Sequence, residues 1–393
     1  MLFKLFLPLI AFVFGCAAGA KTDPMAEELL SKLSQEGNLI TVAQAKGEIP
    51  TDPTDPAWQT TPESIIPLVS QTSLSPKTPV FQRTDISVRV LYAGKEIGFL
   101  ISWSDPTRSE SEAGVTKFRD AVAIGFAPNL KNADSLPYIG MGNKGRPMAI
   151  WHWKASWQED VNHGYQGVGE AHAGMVPNIS PIPHRTADEA GSPMAQMKRT
   201  SPVENLLAEG FGTLTSIPGK NLTGNGIWNQ GRWHVVVKGV RRAGGKGIDP
   251  VTFAIWDGAK ENRNGMKGLT RWRFLRFEGE PVPPDLLNSL IIGPLPGADP
   301  KRGKQLVTEM GCVSCHNFPN NPTANDVGPD LAHAGSIHRP EYLLESIKDP
   351  NAVIVPAPGY FDPETWTSTM PSFGDQIPEK DYNDVVEYLR SLQ

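Results

Sequence analysis

The run Cys312-Val313-Ser314-Cys315-His316 restricts what this chain can become more than any other. Two thiols separated by two residues can each add to a haem vinyl group, and the next residue then places an imidazole beneath the iron. The competing chemistry is a zinc site, or a redox dithiol beside a chance histidine. Zinc asks for a second ligand pair, and the remaining cysteine, Cys16, stands some 300 residues away in the leader. The pattern therefore predicts haem c, bound covalently by Cys312 and Cys315 with His316 as its axial ligand.

The amino terminus suits such an exported product. Lys4 precedes an uncharged, mostly apolar run of 11 residues, Leu5 to Gly15, followed by Cys16-Ala17-Ala18-Gly19-Ala20. That is the layout of a secretory leader, and the run is shorter than the about 20 apolar residues a spanning helix needs. Val13-Phe14-Gly15-Cys16 resembles a lipobox, in which Cys16 is acylated and tethers the protein to a membrane. Cleavage after Ala20 is the alternative and discards Cys16. Either way residues 1–20 are read as a signal peptide, and the mature chain as periplasmic, either free or lipid-tethered.

The mature chain divides by pattern. Ile86, Val88 and Val90 alternate with polar residues, Ala93-Gly94 marks a turn, and Ile97, Phe99, Ile101 and Trp103 alternate again, which predicts a hairpin with one buried face. Similar runs recur at 121–126, 149–153, 233–237, 252–256 and 272–277. Nine of the ten tryptophans precede residue 300, as an aromatic β core requires. This predicts an antiparallel β-sandwich over 21–280. Residues 155–225, rich in Gly, Pro and Asn with scattered histidines, read as long loops. Six prolines between 281 and 300 mark a linker over 281–298. Beyond it, Asp299-Pro300 opens a helix, and Tyr382, Val385, Val386, Leu389 and Leu392 recur at helical spacing, so 299–393 is expected to be a small all-α domain. Residues 300–393 hold 7 basic and 13 acidic residues, a charge of −6, whereas residues 1–299 carry +1. A net charge of −5 argues against nucleic acid as a partner.

Residues 298–393 resemble class I c-type cytochromes. Gly311 precedes the motif, Gly328-Pro329-Asp330-Leu331 follows it, and Met370-Pro371 lies before the last helix. The resemblance implies that Pro329 packs against His316 and orients its ring through its carbonyl, and that Met370 is the second axial ligand. Met310, His333 and His338 are the rival positions. A thioether ligand raises the haem potential.

The large domain has no catalytic signature in its spacing: GxSxG, HExxH and P-loop patterns are absent, and His152, His163, His172, His184 and His234 are scattered. Its ordered stretches are Val88 to Asp105, Asp120 to Ile124, Met141-Gly142 with Pro147 to Trp153, and Phe253 to Gly258 followed by Arg263 to Lys267. With these, residues 40–280 resemble the haem b-binding gamma subunits of ethylbenzene dehydrogenase, dimethyl sulfide dehydrogenase, selenate and chlorate reductases, and nitrite oxidoreductase. The resemblance implies haem b held by Met141 and Lys267, with Lys246 and Lys260 as rivals to the lysine. A lysine binds iron only as the neutral amine, so its site must depress the pKa.

Axial sets of Met141 with Lys267 and His316 with Met370 leave no iron position open to substrate. The expectation is therefore an electron-transfer gamma subunit, not an enzyme. Its implied partners are the iron-sulfur beta and molybdenum alpha subunits of an extracytoplasmic oxidoreductase, nitrite oxidoreductase-like above all, and a soluble cytochrome or terminal oxidase. The alternatives are a haem peroxidase-like enzyme, and a ligand-binding β-sandwich fused to a monohaem cytochrome c.

Overall fold

The computed structural model describes residues 23–72, 78, 82–111, 116–164, 199–219, 221–241, 247–321, 327–374 and 376–393. The leader with Cys16, the stretch holding His172 and His184, and Lys246 lie outside the described residues.

Thirteen strands among the described residues join in one branched sheet: β1 (Leu39–Gln44), β2 (Glu63–Ser70), β3 (Arg83–Ala93), β4 (Glu96–Ser104), β5 (Ala121–Phe126), β6 (Met148–Lys154), β7 (Val203–Ala208), β8 (Thr215–Ser216), β9 (Thr223–Asn229), β10 (Arg232–Val240), β11 (Ile248–Trp256), β12 (Gly268–Leu269) and β13 (Arg273–Phe277). One wing runs β8-β7-β6-β5-β11 and the other β2-β3-β4-β10-β9, with β12 between β11 and β2. Each strand expected from period-two alternation is present. In the β3–β4 hairpin Ala93 pairs with Glu96, and Gly94 takes the left-handed conformation (φ 58°) that so tight a turn needs.

The wings pack face to face through aromatic side chains. Phe99 of β4 meets Phe126, Trp151 and Phe253 of β5, β6 and β11 at ring-centroid distances of 5.9, 6.3 and 6.3 Å. Trp153 packs edge-on at 5.0 Å from Trp233. Phe99, Trp151, Trp153, Phe253 and Trp233 are almost wholly buried. Burial of a side chain of the phenylalanine class stabilises by roughly 1.5–3 kcal/mol, so this cluster dominates the core.

Three features depart from the plain antiparallel, loop-rich picture. Strand β1 runs parallel to both its neighbours, β3 and β13. It enters from the helix Pro24–Gln35 rather than from a hairpin; Asp23 caps that helix, and Leu29, Leu30 and Leu33 bury against Leu286, Leu287 and Leu290. Part of the stretch read as loop is regular: Ala155–His163 is helical and β7, β8 and β9 are strands. Strand β9 looks like loop text because it needs glycines. A Cβ on Gly226 would sit 2.3 Å from Trp153, and one on Gly224 2.7 Å from Val203 and from the Val236 carbonyl. Finally, Pro284–Leu290 in the proline-rich segment forms a helix.

The C-terminal region is mostly helical, with helices Pro300–Glu309, Pro340–Lys348 and Glu379–Ser391. Asp299 caps the first, with Pro300 at the position whose missing N–H costs nothing. The first and last cross closely enough that a Cβ on Gly303 would lie 1.9 Å from the Asp384 carbonyl. The two regions touch: Arg146 pairs with Glu345 at 2.5 Å, and buried Arg339 donates to the Leu290 carbonyl at 3.1 Å. No helix among the described residues is long and apolar enough to cross a membrane.

Candidate cofactor sites

Gly311 (φ 77°) ends the first C-terminal helix segment and turns the chain into the short 3-10 turn Cys312–Ser314. That turn leaves Cys312 half-buried and Cys315 exposed, both as free thiols, and returns the chain so that His316 N–H donates to the Cys312 carbonyl at 3.0 Å. His316 is 9% exposed, and its Nδ1 lies 2.8 Å from the Pro329 carbonyl. With Nδ1 as donor, Nε2 is the ring's acceptor nitrogen, the tautomer that suits a metal ligand. A Cβ on Gly328 would fall 2.8 Å from the His316 ring, so glycine is what lets the Gly328-Pro329 segment lie against it.

Met370 is half-buried in the apolar cluster that also holds Cys312, Val313 and Leu331. Two of its rivals are engaged elsewhere. His333 Nδ1 lies 3.1 Å from the Gln393 carbonyl, and the His338 ring lies tilted 4.6 Å from that of Tyr342 at the contact between the two regions. Met310 follows the helix Pro300–Glu309 and packs in the same cluster as Met370.

The second site lies on the outer face of the β5–β6–β7–β11 wing. On β5, Val122, Ile124 and Phe126 fill the core, so Ala121, Ala123 and Gly125 face the other way. These small residues leave room there for a cavity of about 710 Å³, within the range of ordinary ligand and cofactor sites. Met141 and Lys267, far apart in sequence, both line it. Met141 is held by a turn in which Gly142 (φ 72°) donates to the Tyr138 carbonyl at 2.8 Å. Lys267 follows the Asp257–Met266 loop, and its carbonyl accepts from Gln71 N–H at 2.9 Å.

The Lys267 side chain is buried, with its Nζ 5.0 Å from the centre of the Trp256 ring. Among the described residues no carboxylate pairs with it, and burial alone brings its pKa down to about 8. Lys260, its rival, is mostly exposed and bound to Asp257 at 2.9 Å. The structure thus brings Met141 and Lys267 together and leaves Lys260 outside the cavity lining.

The sequence leaves His152 among scattered histidines, yet it lines this cavity. His152 shares the cavity face of β6 with Met148, Ile150 and Lys154, while Ala149, Trp151 and Trp153 take the core face. Its ring lies 5.0 Å from Trp256, its Nε2 is buried without a hydrogen-bond partner among the described residues, and burial holds it neutral, well below the usual histidine range. The two-residue period of the Ile150-Trp151-His152-Trp153 run was the available signal. The other described histidines lie apart: His234 bonds Ser102 and His163 pairs with Glu159.

These observations fit a haem. Among the described residues, a ring nitrogen without a hydrogen-bond partner and a buried amine without a carboxylate partner line one cavity, together with a thioether. Arg119, Lys154 and Arg263 line the same space against one acid, Glu204, as the carboxylates of a haem would require. Phe211 of the lining lies 5.9 Å from Tyr138, which in turn lies 5.0 Å from Tyr342 and 6.0 Å from His338. Aromatic side chains therefore reach from the cavity wall into the C-terminal region.

Comparison with known proteins agrees with this division. The family profile for cytochrome c matches residues 300–393. Chlorate reductase subunit gamma of Ideonella dechloratans is 25% identical over 67% of this chain and 95% of its own. Dimethylsulfide dehydrogenase subunit gamma of Rhodovulum sulfidophilum is 24% identical over 60% and 78%. A Haloferax mediterranei protein provisionally named respiratory nitrate reductase heme subunit ORF7 is 23% identical over 65% and 82%. The profile described as ethylbenzene dehydrogenase matches residues 55–268, more than half of the sequence, and the chain belongs to that family.

Proposed function

We propose that this chain is a dihaem electron-transfer subunit, of the gamma type, in an extracytoplasmic molybdenum oxidoreductase. The observation that carries the reading is the convergence of Met141 and an unpaired, desolvated Lys267 on one cavity. Met141 and Lys267 would hold haem b, and Cys312, Cys315, His316 and Met370 haem c. Bound haem supplies a one-electron iron couple at each site.

What this chain's own residues contribute is a prepared environment. Removing the proton from a solvated lysine at pH 7 costs about 5 kcal/mol at about 1.4 kcal/mol per pKa unit. With the pKa already brought down to about 8 by burial, that cost falls to about 1 kcal/mol. His316 is oriented by Pro329, and Met370 and Cys312 both pack against the apolar cluster of the C-terminal region. The Phe211, Tyr138, Tyr342 and His338 rings supply a packed route between the two regions.

The expected partners are iron-sulfur and molybdenum subunits on one side and a soluble cytochrome or terminal oxidase on the other. The relatives named as gamma subunits of chlorate reductase and dimethylsulfide dehydrogenase support this. The cytochrome-like region at 300–393, acidic and attached to the gamma-type domain, favours a nitrite oxidoreductase-like complex. The leader-like pattern of residues 1–20 supports a position outside the cytoplasm. Isolating the native complex through this chain tests the proposal: molybdenum and iron-sulfur clusters in fixed ratio to it are expected. A chain that isolates alone and turns over peroxide refutes it.

A further inference from the structure

Three aspartates from strand ends distant in sequence meet beside the haem b cavity. Asp105 follows β4, Asp120 precedes β5 and Asp257 follows β11, and one carboxylate oxygen from each lies within 4.8 Å of the other two. Asp105 is 1% and Asp120 0% exposed. The main chain is jammed together here: a Cβ on Gly258 would lie 2.1 Å from the Phe118 carbonyl.

Asp120 is held as an anion by three N–H donors: Ser109 N at 2.7 Å and Trp233 Nε1 at 3.0 Å to Oδ2, and Gly258 N at 2.8 Å to Oδ1. Asp105 is different. Its Oδ1 accepts from Thr107 N–H and Oγ1, at 3.0 and 2.8 Å, whereas its Oδ2 is buried with no hydrogen-bond partner among the described residues. An unpartnered carboxylate oxygen in a buried site is costly to leave without a counter-charge. Among the described residues the cation bonded to the trio is Lys260, which is 58% exposed and lies 2.9 Å from Asp257 Oδ2, so three ionised carboxylates there keep two negative charges in excess. Burial and mutual repulsion raise Asp105 above the usual carboxylate range and push Asp120 up to about 6, as expected for carboxylates short of a counter-ion.

We propose that Asp105, Asp120 and Asp257 form a binding site for a hard divalent cation, calcium by preference. The donors are all oxygens, which excludes soft metals, and three carboxylates at irregular spacing suit the flexible coordination of calcium better than the strict octahedron of magnesium. The cation would enter from the cavity of about 350 Å³ that Asp105, Asp257, Lys260 and Asn262 line, where water completes its shell. Its consequence reaches the haem b cavity. Phe118 and Arg119, next to Asp120, and the loop from Asp257 to Lys267 both supply lining residues. A cation joining them would brace that wall.

The test uses the full-length protein, treated with a chelator and titrated with calcium chloride by calorimetry. Terbium, excited through Trp233 beside Asp120, serves as a second probe. One calcium per chain is expected, with Kd below about 1 mM, the weak limit of extracellular calcium modules. Asp105→Asn and Asp257→Asn should each weaken binding at least tenfold and abolish the calcium-dependent rise in thermal midpoint, while Asp52→Asn should change neither. Asp257→Asn, at the cavity edge, decides if Asp105→Asn fails to fold. No calcium binding by the wild type, or binding unaltered in a folded Asp105→Asn or Asp257→Asn variant, overturns the proposal.

Discussion

Replacing Lys267 by methionine separates what the lysine costs the fold from what it offers a haem. In the chain freed of non-covalent haem, the amine is buried without a carboxylate partner among the described residues, and its pKa falls from 10.5 to about 8. The folded state therefore resists protonation. Between pH 8 and 10.5 the unfolded chain binds more protons than the folded one, so stability climbs with pH across that window. Below pH 8 the whole penalty stands, about 3 kcal/mol at about 1.4 kcal/mol per unit. Methionine fills nearly the same volume without charge, and a volume-conserving exchange costs under about 1.5 kcal/mol in packing. Lys267→Met should thus stabilise the haem b-free protein at pH 7 by about 1.5–3 kcal/mol, with the gain shrinking as pH rises toward 10.5. Urea unfolding followed by tryptophan fluorescence from pH 7 to 10 measures this, because nine of the ten tryptophans report on the large domain. With haem b present, the bis-thioether set should raise its potential. A variant no more stable than wild type at pH 7, or parallel pH curves, would mean that the buried amine carries no such penalty.

Changing Cys312 and Cys315 to alanine should abolish haem stain after denaturing electrophoresis; stain that persists contradicts the attachment site. Met370→Ala should leave haem c attached but lower its potential, because the thioether's preference for ferrous iron is lost, and an unchanged potential would point to another ligand. Gly226→Ala drives a methyl group to within 2.3 Å of Trp153, so it should destabilise the large domain by about 1–3 kcal/mol in urea unfolding, as overpacking does. A neutral result would mean the β9 glycines are not steric.

Where a period or a covalent motif carried the information, the sequence was legible. The strands at 86–103, 121–126 and 252–256 and the last helix all emerge from local pattern. Strand β9 did not, because Gly224 and Gly226 are there to admit Trp153 and Val203, contacts invisible to composition. The parallel pairing of β1 depends on the helix before it and on strands far along the chain. The cavity was half legible. Resemblance singled out Met141 and Lys267, but the small residues Ala121, Ala123 and Gly125 that open the space, and His152 on its wall, follow from the parity of β5 and β6. The aspartate trio was beyond reach from sequence, since its members end or precede strands that meet only in the folded sheet.

The proposed function requires that one chain hold two haems of different attachment, with Lys267 on the iron of the non-covalent one. Pyridine haemochrome analysis of the purified full-length protein, with native ferric spectra and redox titration, repeated on Lys267→Ala, decides the matter. One haem b and one haem c are expected per wild-type chain, and in the variant an unchanged haem c with haem b turned high-spin or lost. Haem c alone in the wild type, or a low-spin haem b of native potential in Lys267→Ala, would contradict it.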